Sequence, residues 1–231
     1  MQILSIDTTT KGCSVALHQD GKLLSISELY SEKSSSGMLT TLIQNTTHAA
    51  GQKLSDIDAF AVAKGPGSYT GLRIGVSTIK GLCYTLEKPM IAINSLEAMA
   101  LQIKDFFGED TLLCPMIDAR RMEVYCAVYQ SATLKEVEET HAKIIDEASF
   151  ADLLSQNKMV FFGDGADKCK ATFDGNPNAI FLDTMINPSA RTVGKLATQA
   201  FINGQFEDVA DFEPFYLKDF MATTPKKSLF V

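Results

Sequence analysis

Residues 64–75 read KGPGSYTGLRIG, and no other stretch limits the fold as much. An apolar run, Asp58 to Ala63, leads into it, and a helical pattern from Tyr69 to Glu87 leads out. Strand, glycine turn and helix in that order aim free backbone N–H groups at one point. The glycines are Gly65, Gly67, Gly71 and Gly75, the last three recurring every four residues. The dinucleotide fingerprint is missed because its third glycine falls one residue late, and the P-loop because Gly71 precedes Leu72 and Arg73. Pro66 suits a tight turn and Ser68 a helix N-cap. A glycine inside a helix costs about 1 kcal/mol relative to alanine, so Gly71 and Gly75 on one helix imply a close neighbour on that face. Leu72, Val76, Ile79, Cys83 and Leu86 add an apolar stripe. The turn either holds an anion or admits close packing, and the neighbour is either the chain's own core or a partner.

A chain of 231 residues allows one large or two small domains, and 45% hydrophobic content supports a real core. A net charge of −7 argues against gripping nucleic acid unaided, since phosphate contacts need clustered Lys and Arg. The short pair Lys226-Lys227 reads as solvated. Five scattered cysteines without metal spacing read as reduced core residues, and with no signal-like N-terminus and no membrane-length apolar run the expected location is cytoplasmic.

In chain order, strands are expected over residues 2–6, 13–18 and 22–29, the last two joined by an Asp20-Gly21 hairpin turn. A helix follows over 38–50, then the central strand, turn and helix, with Lys88-Pro89 as the stop. A strand over 90–93 leads to a helix over 96–103, capped by Asn94 or Ser95. The opening pattern then recurs: Leu112 to Ile117 ends in Asp118 as residues 2–6 end in Asp7, and Glu123 to Gln130 alternates as a strand. At an offset of 111 residues, Ile6-Asp7 falls on Ile117-Asp118 and Val15-Ala16-Leu17 on Cys126-Ala127-Val128. This implies two lobes of related architecture, the first over 1–105 and a smaller, less regular second over 106–231. Helices are expected over 146–156 and 190–203, with a strand over 158–162 running into Gly163-Asp164-Gly165-Ala166; residues 212–221 are left open.

Across a two-lobed cleft, Asp7 and Asp118 are placed to hold a hydrated Mg²⁺ beside nucleotide phosphates, with the turn 163–166 meeting adenosine or phosphate. The plain alternative is that both aspartates cap turns. Nucleophilic catalysis finds little support: His18, His48 and His141 form no metal pair, and Cys13 has no local histidine. Arg120-Arg121 either meet phosphate or pair with Glu123, and Tyr69 and Arg73 either face a partner or form a solvated helix face.

The stretches ILSIDTTTKGCSVAL, KGPGSYTGLRIG, INSLEAMA and MIDARRMEVYCAVY, in this order and spacing, resemble the TsaB (YeaZ) family, bacterial partners in making N6-threonylcarbamoyladenosine in tRNA. The match is strong over about residues 1–130 and looser through FFGDGA and PFYLKD. The resemblance implies an α/β, two-lobed actin/Hsp70-like (ASKHA, ribonuclease H-like) fold, with duplicated mixed sheets and flanking helices. It implies a non-catalytic scaffold, the degenerate relative of the catalytic subunit TsaD, whose H-x-x-x-H metal motif this chain lacks. The implied partners are TsaD, the ATPase TsaE and, for the chain alone, a second copy; tRNA is met only indirectly, at its position 37. No cofactor is expected for this chain itself, ATP and Mg²⁺ being used by the complex.

The helices over 38–50 and 68–86 would carry pairing, with interface residues Met38, Leu39, Leu42, Ser68, Tyr69, Gly71, Leu72, Arg73, Gly75, Val76 and Ile79. Asp7, Thr8, Asp118, Gly163, Asp164 and Gly165 would mark a vestigial nucleotide cleft, with no catalytic or metal residue. Many relatives carry a histidine where this chain has SSSGM, with Ser34 in its place. The rivals are a stand-alone ATP-dependent enzyme of the same fold, motivated by Asp7, Asp118 and the turn 163–166, and a peptidase, which lacks a visible metal pair or Ser–His arrangement.

Overall fold

A computed structural model describes residues 1–30 and 35–218. Ser34 and the Lys226-Lys227 pair lie outside the described residues. The elements in order are β1 (Gln2–Asp7), β2 (Cys13–Gln19), β3 (Lys22–Leu29), α1 (Ser35–Ala49), β4 (Ala59–Gly65), α2 (Tyr69–Leu86), β5 (Met90–Asn94) and α3 (Ser95–Ile103). Then come β6 (Leu112–Asp118), β7 (Glu123–Gln130), β8 (Glu136–Ile144), α4 (Ala151–Gln156), β9 (Met159–Phe162), a 3-10 helix (Asp167–Phe173), β10 (Ala179–Phe181) and α5 (Ala190–Ile202).

The strands form two five-stranded mixed sheets of one topology. The first has the order β3-β2-β1-β4-β5 and the second β8-β7-β6-β9-β10. In each, the first three strands are antiparallel and the remainder run parallel to the central strand. The expected repeat is therefore a duplicated sheet. Its register needs one correction. Ile6 pairs with Val15 but Ile117 pairs with Tyr125, because the loop after β6 is one residue shorter than the loop after β1. The 111-residue offset consequently holds for the first strand of each hairpin and slips by one on the second.

Local chemistry explains most boundaries. Asp20 and Gly21 both take positive φ, as the tight β2–β3 turn requires. Ser68, Asn94 and Ser189 cap α2, α3 and α5 with side-chain oxygens that accept backbone N–H groups. The helix expected over 146–156 begins only at Ala151, because the Asp146 carboxylate accepts the Ala148 N–H and the Ser149 hydroxyl and holds the preceding residues in a turn. Strands β8 and β10 were not anticipated by pattern. β8 reads EVEETHAKI and lies at a sheet edge; its exposed residues, Glu136, Val137, Glu139 and Ile144, fall on both faces, so no apolar alternation marks it.

Packing builds layers. α1 and α2 cover the outer face of the first sheet, over Leu4, Ile6, Val15, Phe60 and Val62. α4 and the 3-10 helix cover the outer face of the second, where Phe150, Phe161 and Phe173 meet. Between the sheets lie α3 and α5, exchanged with respect to chain order. α5 packs on β1, β2 and β4 through Val193, Ala197 and Ala200. α3 packs on β6 and β7 through Leu96, Met99 and Ile103. A division at residue 105 thus separates the sheets while the helices cross it.

Candidate functional site

The glycine turn docks α2 onto the end of β1. A Cβ on Gly67 would lie 2.3 Å from the Thr9 carbonyl oxygen, one on Gly71 2.0 Å from the Thr8 carbonyl oxygen, and one on Gly75 2.5 Å from Thr8 Oγ1. Hydrogen bonds close the joint: the Ser68 N–H donates to the Thr9 carbonyl at 2.6 Å, and the Thr8 hydroxyl to the Gly71 carbonyl at 2.7 Å. Farther along the turn, the Gly71 N–H donates to Ser68 Oγ and the Leu72 N–H to the Ser68 carbonyl. These three N–H groups serve the chain itself, and the glycines permit close packing on the end of β1.

That geometry corrects the expected interface. Gly71 and Gly75 face Thr8, and Leu39, Leu42, Leu72, Val76 and Ile79 are buried in the first lobe's own core. Met38, Ser68 and Arg73 are exposed and Tyr69 is half-buried. The outward face of the two helices is instead made of Met38, Thr41, Asn45 and His48 on α1, and Thr70, Arg73, Ser77 and Tyr84 on α2. Tyr84, 84% exposed, is the residue pattern reading missed; an aromatic out of step with the stripe Leu72–Val76–Ile79–Cys83 was its signal.

The two strand-end aspartates differ. Asp7 is buried, and its Oδ1 accepts the Thr9 N–H at 2.9 Å and the Thr9 hydroxyl at 2.7 Å. Its Oδ2 is buried without a hydrogen-bond partner. Burial pushes the Asp7 carboxyl above its ordinary pKa, the Thr9 bonds pull it back, and the Glu28 charge adds to the rise. Asp118 is open to solvent; its Oδ1 accepts the Arg120 N–H at 3.2 Å and pairs with the Lys168 ammonium. The Asp118 N–H in turn donates to Asp164 Oδ1 at 2.9 Å. Burial also raises Asp164, against the pull of that N–H, and the Lys168 and Lys11 charges oppose the rise. Lys11 comes from the loop after β1, so the loops of the two lobes face each other here.

Gly163 and Gly165 lie directly on the Met116 and Ile117 backbone, as Gly67 and Gly71 lie on Thr9 and Thr8. A magnesium-bound phosphate needs free carboxylate oxygens and free N–H groups. Asp118 Oδ1 is engaged by Lys168 and the Arg120 N–H, the glycines pack on the ends of β1 and β6, and Asp7 Oδ2 remains a carboxylate oxygen without a partner. No nucleophile is poised here. Burial pushes the Cys13 thiol up to about 11 and His18 down to about 4, the latter ring lying beneath Gly194. Among the described residues no cluster of His, Cys, Asp and Glu has a metal-holding arrangement.

A segment that pattern reading left open completes the site. Residues 207–218 run from the edge of the first sheet, across α2, to the second lobe. The Glu207 N–H donates to the Met90 carbonyl, and the Lys80 ammonium donates to the carbonyls of Ala210 and Phe212 at 2.9 and 3.0 Å. The Phe215 N–H donates to the Lys64 carbonyl at 2.8 Å, directly over the glycine turn. The Tyr216 ring lies 4.9 Å from that of Tyr69, its hydroxyl accepts Arg73 Nε at 3.3 Å, and the Arg73 guanidinium sits 4.4 Å over Tyr69. Lys218 pairs with Glu123 and lies 5.9 Å from the Tyr125 ring. The signal available in sequence was three aromatics, Phe212, Phe215 and Tyr216, in a polar tail.

Comparison with known proteins bears on the fold and the family. The family model described as TsaD, tRNA N6-adenosine threonylcarbamoyltransferase, matches residues 29–226. The chain is 34% identical over 227 residues to the tRNA threonylcarbamoyladenosine biosynthesis protein TsaB of Escherichia coli (strain K12), covering 96% of both chains. It is similar to the structure of YeaZ from Pseudomonas aeruginosa, with a TM-score of 0.80, 26% identity, and 94% of this chain and 99% of that one covered. A 2-hydroxyisocaproyl-CoA dehydratase activator from Clostridium difficile shares the fold alone, at a TM-score of 0.50 and 9% identity over 89% of this chain and 96% of that one. The fold is the two-lobed actin/Hsp70-like fold, and the chain is a paralogue of TsaD. With a full-length relative at this identity and both sheets in place, the chain belongs to the TsaB (YeaZ) family of tRNA threonylcarbamoyladenosine biosynthesis proteins.

Proposed function

We propose that this chain is a non-catalytic subunit that docks on a TsaD-type transferase through the outward face of α1 and α2, and so supports formation of N6-threonylcarbamoyladenosine at position 37 of tRNA. The observation that carries the reading is the state of the cleft in a paralogue of a transferase. Its glycines are spent on close packing against the ends of β1 and β6, and Asp118 Oδ1 is paired with Lys168. The chain accordingly uses no nucleotide of its own; ATP and Mg²⁺ belong to the complex, in which a TsaE-type ATPase joins. Alone, the chain pairs with a second copy through the same face. An acidic balance of −7 suits a subunit that meets tRNA only through its partner. No helix among the described residues is long and apolar enough to cross a membrane, which suits the cytoplasmic setting of tRNA modification.

Nucleoside mass spectrometry of tRNA from cells depleted of the chain tests this function. Loss of threonylcarbamoyladenosine is the expected result, and a normal level with depletion verified overturns it. For the surface, Ser77→Arg changes an exposed position on α2. It is expected to weaken binding to the transferase about tenfold; an unchanged Kd moves the interface elsewhere. The second reading, a stand-alone ATP-dependent enzyme, has one observation in its favour, the unpartnered Oδ2 of Asp7. Calorimetry with Mg-ATP separates the two, since turnover by the chain alone would favour the enzyme.

A further inference from the structure

Three helix glycines have a neighbour inside the chain. Gly71 and Gly75 of α2 meet Thr8, and Gly194 of α5 meets His18 and Ser5. Gly81, also on α2, does not: a Cβ built there would have nothing within 4 Å among the described residues. Nor does its backbone call for glycine, since it lies well before the helix ends at Leu86 and its φ is not positive. Alanine would hold the helix better at such a position. A helix glycine marked the close approach of Thr8 at Gly71; at Gly81 the same cost, with open space around it, points to a neighbour outside the chain. A second feature lies one turn on. Tyr84 is 84% exposed, and tyrosine is a residue type that anchors interfaces. Ser77, Gly81 and Tyr84 are exposed and fall at spacings of four and three, in one row along the outward side of α2. A bare backbone point with an aromatic beside it fits a second helix crossing α2 there, because the distance between helix axes follows the side chains at the contact. The TsaD model matches residues 29–226, a span that holds α1 and α2, so a transferase of that family has helices of this kind to offer.

We infer that a helix of the TsaD-type transferase crosses α2 at Gly81, with its backbone against the bare glycine and Tyr84 packed along its side. The crossing rests on the docking reading above and fixes where the approach is closest. A methyl group at position 81 has room in the free chain and none in the complex. Folding stability and binding therefore move in opposite directions when that group is added.

The test is Gly81→Ala in the full chain, read by thermal melting and by the Kd for the transferase. The variant is expected to melt higher than wild type and to bind about tenfold weaker, within the cost of forcing one carbon into a filled contact. Gly81→Leu should bind about a hundredfold weaker and Tyr84→Ala about thirtyfold weaker. Both positions are exposed, so both variants should fold. Sedimentation of each form alone reads the pairing of two copies. Equal or tighter binding of Gly81→Ala to the transferase, while Ser77→Arg binds weakly, overturns the crossing and leaves docking standing. A lower melting temperature for Gly81→Ala would show that the chain itself fills that space, and overturns the crossing too. So does a weakening confined to the pairing of two copies. Wild-type binding that neither Ser77→Arg nor these variants disturb places the interface elsewhere and removes both readings. Absence of association for every form overturns docking and the crossing with it.

Discussion

The two lobes share one strand order, yet they cover their outer faces by different means. After β4 the first lobe runs an 18-residue helix, α2, whose glycines let it sit on the β1–β2 loop at backbone contact. After β9 the second lobe has only a seven-residue 3-10 helix, and its outer face is filled by aromatic rings. Phe161 stacks on Phe173 at 5.1 Å and on Phe181 at 5.0 Å. One lobe removes side chains so that backbones meet; the other adds large side chains because the backbone does not come close. The helix that results in the first lobe presents a long outward face, which is where docking is proposed. The short one in the second lobe offers no comparable surface. Duplication thus conserved the sheets and let the covering layer diverge.

The largest effect that would test this contrast is expected at Phe161→Ala, which empties the centre of the aromatic layer. A loss of about 4 kcal/mol in denaturant melts is expected; a loss below about 1 kcal/mol would mean that the rings do not carry the second lobe. Next comes Gly71→Ala, where the added carbon meets the Thr8 carbonyl oxygen at 2.0 Å. Even with the helix-propensity gain, about 2–3 kcal/mol should be lost. Gly81 on the same helix has nothing within 4 Å of such a carbon, so Gly81→Ala should gain up to about 1 kcal/mol. Equal effects at the two glycines would sink the close-approach argument.

The inner face of the first sheet gives a pH test of comparable size. Buried His18 has its pKa lowered to about 4 by burial, partly offset by its hydrogen bond to the Arg191 backbone, with the Arg191 charge lowering it further. The unfolded chain takes up a proton near 6.5 while the folded chain resists it. Stability present above about pH 6.5 is therefore lost as pH falls toward 4, by about 2–3 kcal/mol. Urea melts across that window should show the slope in the wild type and a flatter one in His18→Leu; identical slopes would assign it to other groups. The smallest effect should come from Lys168→Ala. Its ion pair with Asp118 is partly exposed and is expected to contribute under about 1 kcal/mol. A larger loss would show that the second lobe depends on its cleft as the first depends on its glycine turn.

Much of the fold was legible because it rests on local chemistry. The Asp20-Gly21 turn, the caps at Ser68, Asn94 and Ser189, and the apolar periodicity of α2 all act within a few residues. The repeat of an Asp-ended strand was legible as well, and with it the paired sheets. The edge strand β8 escaped pattern, although the repeat called for a counterpart of β3. Its exposed residues, Glu136, Val137, Glu139 and Ile144, fall on both faces, so no alternating apolar row marks it.

What the site needed was legible only in part. That something approaches Gly71 closely follows from two glycines in one helix; that it is Thr8 follows from how α2 folds back on β1. The apolar residues assigned to an interface, Leu72, Val76 and Ile79, read identically whether a partner or the chain's own sheet covers them, because burial has no address in a periodic pattern. The amino-acid sequence by itself determined most of the elements, their duplication and the family. Tertiary structure alone decided that α3 and α5 exchange lobes, that Asp7 is sealed while Asp118 pairs with Lys168, and that Tyr216 lies on Tyr69 and Arg73. Those outcomes depend on contacts between residues tens to more than a hundred positions apart, and such distant contacts leave no local period or spacing to read.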